Sequence, residues 1–170
     1  MGAQEMSSKV GIGGIFSYEL RRKDGTVETW ENHNLVVNQG LNHILDVVLH
    51  ATAAVSPWYV GIYEGNYTPL ATDTAATIVA ASTECTAYDE ATRQEYVEAA
   101  ASSQSTTNSA SRATFTFNAT KTIYGAFLSS VSTKSATTGT LLAADKAATG
   151  KAVTSGDQLL VTYTLTLTAT

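Results

Sequence analysis

Three side chains able to hold a divalent ion, His43, Asp46 and His50, are spaced three and four residues apart. On an α-helix that spacing brings them to one face. Imidazole and carboxylate together are ordinary ligands for zinc and its neighbours. The H-E-x-x-H pattern that would sharpen the reading is missing. The three also lie opposite a row of large aliphatic side chains, where a surface helix carries polar groups in any case. They read as a solvated face, and no metal is expected.

Nucleophiles are no better placed. There is no G-x-S-x-G elbow, and all three histidines fall within residues 33–50. With 27 Thr and 15 Ser in the chain, a hydroxyl near a histidine carries little information. The spacing of the carboxylate pairs Asp89/Glu90 and Glu95/Glu98 along a strand or loop does not establish the facing geometry that glycoside hydrolysis needs. Gly11-Ile12-Gly13-Gly14 has neither the following helix nor the third glycine of a dinucleotide loop, so it reads as N-terminal flexibility. Cys85 stands alone, cannot form an internal disulfide, and reads as a small buried apolar group. The chain is therefore expected not to be an enzyme, with no catalytic residue and no cofactor.

The aromatic residues are the better candidates for recognition. Trp30, Trp58, Tyr59, Tyr63, Tyr67, Tyr88 and Tyr96 could build a sugar-stacking platform. The favoured reading divides them between the core and an interface, where Tyr and Trp are enriched. Trp58, Tyr63, Tyr67, Tyr88 and Tyr96 are the interface candidates. Charge is unevenly distributed along the chain. Residues 28–98 carry ten acids and one base, Arg93, whereas residues 112–151 carry five bases and one acid, Asp145. Placed on different faces, these segments would give an acidic and a basic side suited to docking on a charged partner. Interleaved, they would cancel.

Composition narrows the classes further. The 170 residues suit one domain with a proper core. Charged residues are 15% against an ordinary ~25%, but a hydrophobic content of 44% excludes a disordered chain. A net charge of −5 with scattered Lys and Arg argues against a nucleic-acid partner, which requires clustered positive charge. No apolar run approaches the ~20 residues of a membrane-spanning helix, and no membrane is expected. Residues 1–9 lack the apolar stretch of a secretory signal, so no export is expected.

Short strands must position whatever this chain presents. Residues 15–20 and 27–37 flank Lys23-Asp24-Gly25, a strong hairpin signal. One amphipathic helix is expected over residues 39–50, burying Leu41, Ile44, Leu45, Val48 and Leu49, with Asn38 as its cap. Gly40 weakens its first turn. Residues 58–63 read as a central strand. Residues 70–92 show no sustained period, residues 93–98 could be a strand, and residues 99–111 read as a flexible loop. Residues 112–118 and 122–131 read as strands. Residues 158–168 are the cleanest, with Leu159, Val161, Tyr163, Leu165 and Leu167 on one face and threonines on the other. The expected fold is mainly β, a β-sandwich or jelly-roll-like domain over residues 11–170, after a flexible arm of residues 1–10.

Trp30-Glu31-Asn32-His33-Asn34-Leu35-Val36-Val37-Asn38-Gln39-Gly40-Leu41-Asn42 is similar to the W-x-x-x-N-L-V-V-N-x-G-L-N stretch of small virion proteins of tailed bacteriophages. Residues 58–69, 112–128 and 155–165 resemble their later blocks, so the likeness spans most of residues 27–168. Among such proteins the chain most resembles a head decoration, or cement, protein. That resemblance implies a β-rich domain bound outside the major capsid shell, made in the host bacterial cytoplasm and carried on the virion's capsid surface. It brings no catalytic residues. The major capsid protein is the implied partner, and a homo-oligomer, dimer or trimer, is expected. A tail or fibre-associated role and a carbohydrate-binding module using Trp58 and Tyr67 are the alternatives.

Overall fold

A computed structural model describes residues 9–169. The first hairpin forms as its sequence dictates: β1 (Val10–Arg21) and β2 (Val27–Val36) pair antiparallel, with Tyr18 opposite Trp30. Gly25 takes a positive φ of 90° in the turn, and the Asp24 carboxylate accepts a hydrogen bond from the Thr26 N–H at 2.8 Å. The other edge of β1 pairs along its whole length with β11 (Gln158–Ala169). Alternation turns Phe16, Tyr18 and Leu20 of β1, with Leu159, Val161 and Tyr163 of β11, into the core.

β2 joins two sheets. Up to His33 it pairs with β1, and from Asn34 it pairs by its opposite edge with β9 (Leu141–Asp145). Beyond β9 follow β8 (Gly125–Ser129), β3 (Trp58–Tyr63) and β4 (Gln94–Tyr96). On the far side of β11 lie β6 (Ala113–Thr116), against its first half, and β5 (Ser105–Thr107), against its second. Short β7 (Lys121–Ile123) and β10 (Lys151–Val153) form a separate ladder. Every pairing is antiparallel. The sheet curls until its ends meet, and the Tyr96 hydroxyl on β4 donates to the Tyr163 carbonyl on β11 at 3.2 Å. The result is a mainly β, sandwich-like domain, with the Phe16–Phe115–Leu128 cluster between its layers.

Two expectations fail at glycines. Gly11–Gly14 are strand, not loose chain, because β11 is long enough to pair with them. The expected arm otherwise lies outside the described residues, except Lys9 and Val10, which opens β1. The helix α1 (Asn38–Leu49) exists but is rotated from the expected orientation. Gly40 is its one fully buried residue, and a Cβ there would sit 2.4 Å from the Leu142 carbonyl oxygen of β9. That contact turns the 40/44 side inward. Leu41 and Ile44 pack on the core, while Leu45, Val48 and Leu49 are 55%, 71% and 79% exposed. Asn38 is not the cap, which is Val37 and has no side-chain bond. Gln39 bridges instead. Its Oε1 accepts from Leu141 N–H at 2.8 Å and Ala75 N–H at 3.2 Å, tying α1 to β9 and to a second helix.

That helix, α2 (Ala75–Ser82), lies within residues 70–92, where the sequence shows no sustained period. Its signal is a capping box in which Thr74 and Thr77 bond each other's backbone N–H, a threonine replacing the usual Glu or Gln. Residues 99–111 are not simply loop, since they contain β5. They also contain buried Asn108, which accepts from Tyr163 N–H at 2.8 Å and donates to the Val161 carbonyl at 3.2 Å.

Candidate functional site

The helical metal constellation does not assemble. His43 is half-buried, its ring edge-on to Trp58 at 5.6 Å, while Asp46 and His50 are exposed. Among the described residues, no group of three His, Cys, Asp or Glu side chains is placed to hold a metal. Cys85 is buried, as expected for a small apolar group, and burial pushes its thiol pKa up.

Three of the five aromatic interface candidates are core residues. Tyr63, Tyr88 and Tyr96 are almost completely buried: Tyr88 and Tyr96 in the cluster between the layers, and Tyr63 on the opposite face of β3 from Val60 and Ile62, packed with Ile78 of α2 and Phe127. Only Trp58 and Tyr67 keep part of their surface. Trp58 opens β3 and packs on the cluster between the layers, whereas Tyr67, past its far end, packs on the cluster under α2 on the opposite face. They cannot share one sugar face. Tyr67 is further committed to Asp73, its hydroxyl 3.0 Å and 3.1 Å from the two carboxylate oxygens.

Two buried ionic centres that the sequence did not reveal hold the layers together. Asp145, at the end of β9, accepts from the Tyr18 hydroxyl at 2.6 Å, from Asn32 Nδ2 at 2.7 Å and from Ala126 N–H at 2.7 Å. The Tyr63 hydroxyl donates to the Asp145 backbone carbonyl. Burial pushes the Asp145 carboxyl up to about 7 against the pull of those three donors. The knot joins β1, β2, β8 and β9 where the sheets exchange strands.

The second centre is Arg93 with Glu84, both side chains essentially sealed from solvent. Arg93 Nε and Nη2 reach the two Glu84 oxygens at 2.8 Å and 2.7 Å, a bidentate fork. The remaining guanidinium N–H groups donate to Ser129 Oγ and to the Val131 and Ala136 carbonyls. Ser135 N–H completes Glu84 at 2.8 Å. Such saturated centres hold structure in place and have no free group to offer a substrate.

The charged segments interleave. Arg112 pairs with Glu19 at 2.8 Å, Lys121 with Glu64 at 2.9 Å, and Lys151 with Glu28. Lys134 donates to the Thr86 and Tyr88 carbonyls, and Lys146 to Thr68. All five bases of residues 112–151 are thus engaged within the chain, two of them, Lys121 and Lys151, with acids of residues 28–98.

Apolar surface remains. The outward row of α1 is one patch, and the projecting end of the β1–β11 ribbon, with Val10 at 73% and Leu167 at 42% exposed, is another. A third feature is a small apolar cleft of about 180 Å³ lined by Val55, Trp58, Leu128, Leu142 and Leu165. The arrangement can bind through shape and apolar contact. No protein-family model matches the chain, and no curated protein matches it.

Proposed function

We propose that this chain is a structural virion protein that binds the outside of a bacteriophage capsid and stabilises it by non-covalent contacts between major capsid subunits. The observation that carries this reading is the division of its side chains. The two buried centres, Arg93–Glu84 and Asp145, are saturated by partners within the fold, while a set of large aliphatic side chains, Val10, Leu45, Val48 and Leu49 among them, is left in solvent. That is the surface of a module that docks rather than one that turns over substrate. Many modest apolar contacts repeated over a lattice add up to strong retention without any one strong site.

The N-L-V-V-N-x-G-L-N stretch supports the same reading. Its residues are those that build the β2–α1 corner: Leu35 and Val36 pair with β9, Gln39 bridges to β9 and α2, and Gly40 seats the helix. A motif that specifies a corner suits a structural protein. The carbohydrate alternative is weakened by the separation of Trp58 and Tyr67.

Quantitative mass spectrometry of purified particles tests the proposal. The expected result is a copy number that is a simple lattice fraction of the major capsid protein. A handful of copies per particle would instead move the protein to the tail or a fibre, and absence from particles would overturn the virion reading.

A further inference from the structure

Among the described residues, the first part of β1 has one edge that carries no partner strand. From Ile15 to Arg21 that edge carries β2, but at Asn34 β2 turns to β9. Among the described residues, no strand pairs with Val10–Gly14 on that side, while β11 holds the other side through Ala169. The uncovered stretch, Val-Gly-Ile-Gly-Gly, contains no charge, no proline and no bulge, the devices by which proteins protect a free edge.

Its glycines have no internal reason to be glycine at two positions. A Cβ on Gly13 would meet nothing within 4 Å, and one on Gly11 would meet only the Thr168 carbonyl at an ordinary 3.8 Å. Neither has a positive φ. Gly14 differs, because there the Tyr163 ring and the Thr164 carbonyl fill the Cβ position. Glycine in a strand often marks a site where another backbone approaches closely, and among the described residues none does so on this side.

The geometry points to antiparallel pairing of this edge with the same edge of a second copy of the chain, about a two-fold axis through Ile12. Side chains opposite each other in a continuous sheet must share a face, so self-pairing sets residues of equal parity across from one another. Centred on the open stretch, that register places Val10 opposite Gly14, Gly11 opposite Gly13, and Ile12 opposite itself. The departing β2 of each copy bounds the window at its Ile15 end. Val10 falls opposite glycine, Ile12 meets its own symmetry mate, no like charges meet, and the exposed Val10 and Leu167 of both copies gather on one side of the joined ribbon. The inference stands on the fold alone and is independent of the capsid reading.

Light scattering with size-exclusion chromatography, on the full chain at about 100 µM, should give a reversible dimer. A monomer or a trimer would overturn the proposal. The Gly11→Lys/Gly13→Lys double variant sets lysines directly opposite each other in this register and should be monomeric, with an unchanged circular-dichroism spectrum and a melting temperature that no longer depends on protein concentration. The Gly11→Lys/Gly13→Glu variant sets opposite charges across both pairs and should restore the dimer. A double-lysine variant that stays dimeric, or a lysine–glutamate variant that stays monomeric, would overturn it.

Discussion

At the scale of single residues, the strongest constraints are groups whose partners lie far away in sequence. Gly40 is a poor helix former, yet Gly40→Ala should destabilise the protein. The helix-propensity gain of about 1 kcal/mol is set against a methyl placed 2.4 Å from the Leu142 carbonyl oxygen. A net loss of about 1–3 kcal/mol is expected from urea denaturation, because backbone cannot yield as a side chain can. Glu84→Ala should cost more, about 3–5 kcal/mol, since it leaves the buried Arg93 guanidinium without its carboxylate. The same denaturation series measures both.

At the scale of elements, α1 inverts the usual expectation for an amphipathic helix. Its most apolar row faces solvent, and its seat on β9 is made by a glycine, a glutamine bridge and the Leu41/Ile44 pair. Val48→Ala and Leu49→Ala should therefore each change stability by no more than about 0.5 kcal/mol, whereas Ile44→Ala should cost about 2 kcal/mol or more. Equal losses at all three positions would show that the outward row is buried in the isolated protein. Strands carry the opposite lesson, since aromatic rings fill the space above glycines of their neighbours. Phe127 lies over Gly61, its directly opposed residue, and Tyr63 over Gly125. Such ring-on-glycine pairs pin the register of β3 against β8.

At the scale of the whole molecule, stability should depend on pH through two opposed sets of carboxyls. Glu19, hydrogen-bonded by Arg112, and Glu28, hydrogen-bonded by Lys151, have their pKa values lowered by folding. Their contribution is present above the unfolded value and is lost as pH falls through the folded one. Asp145 runs the other way. Burial raises it to about 7, so the native state holds its proton more tightly than the unfolded chain, and stability falls as pH rises from about 4 to about 7. Melting temperature should peak between these limbs on the mildly acidic side. Asp145→Asn should flatten the upper limb and leave the lower one; an unchanged upper limb would show that Asp145 is ionised in the native state throughout.

The sequence by itself determined the elements whose information is local. Asp24-Gly25 between alternating runs specifies the β1–β2 hairpin, and Leu159 to Leu167 specifies β11 and the face it turns inward. Enough such segments in one chain determine a mainly β class. Tertiary structure alone decided the rest, for one physical reason: a side chain's environment depends on the strand beside it, and strand order is set by packing between distant segments. Tyr18 meets Asp145 across 127 residues. Tyr63, Tyr88 and Tyr96 look like interface aromatics until tertiary packing covers them: Tyr96 where β4 closes against β11, Tyr88 against Phe115 of β6, and Tyr63 against α2. β9 has no alternation to read because all five of its residues are buried. Likewise, the helical period locates α1, but which side faces inward was decided by the one residue small enough to touch the backbone of β9.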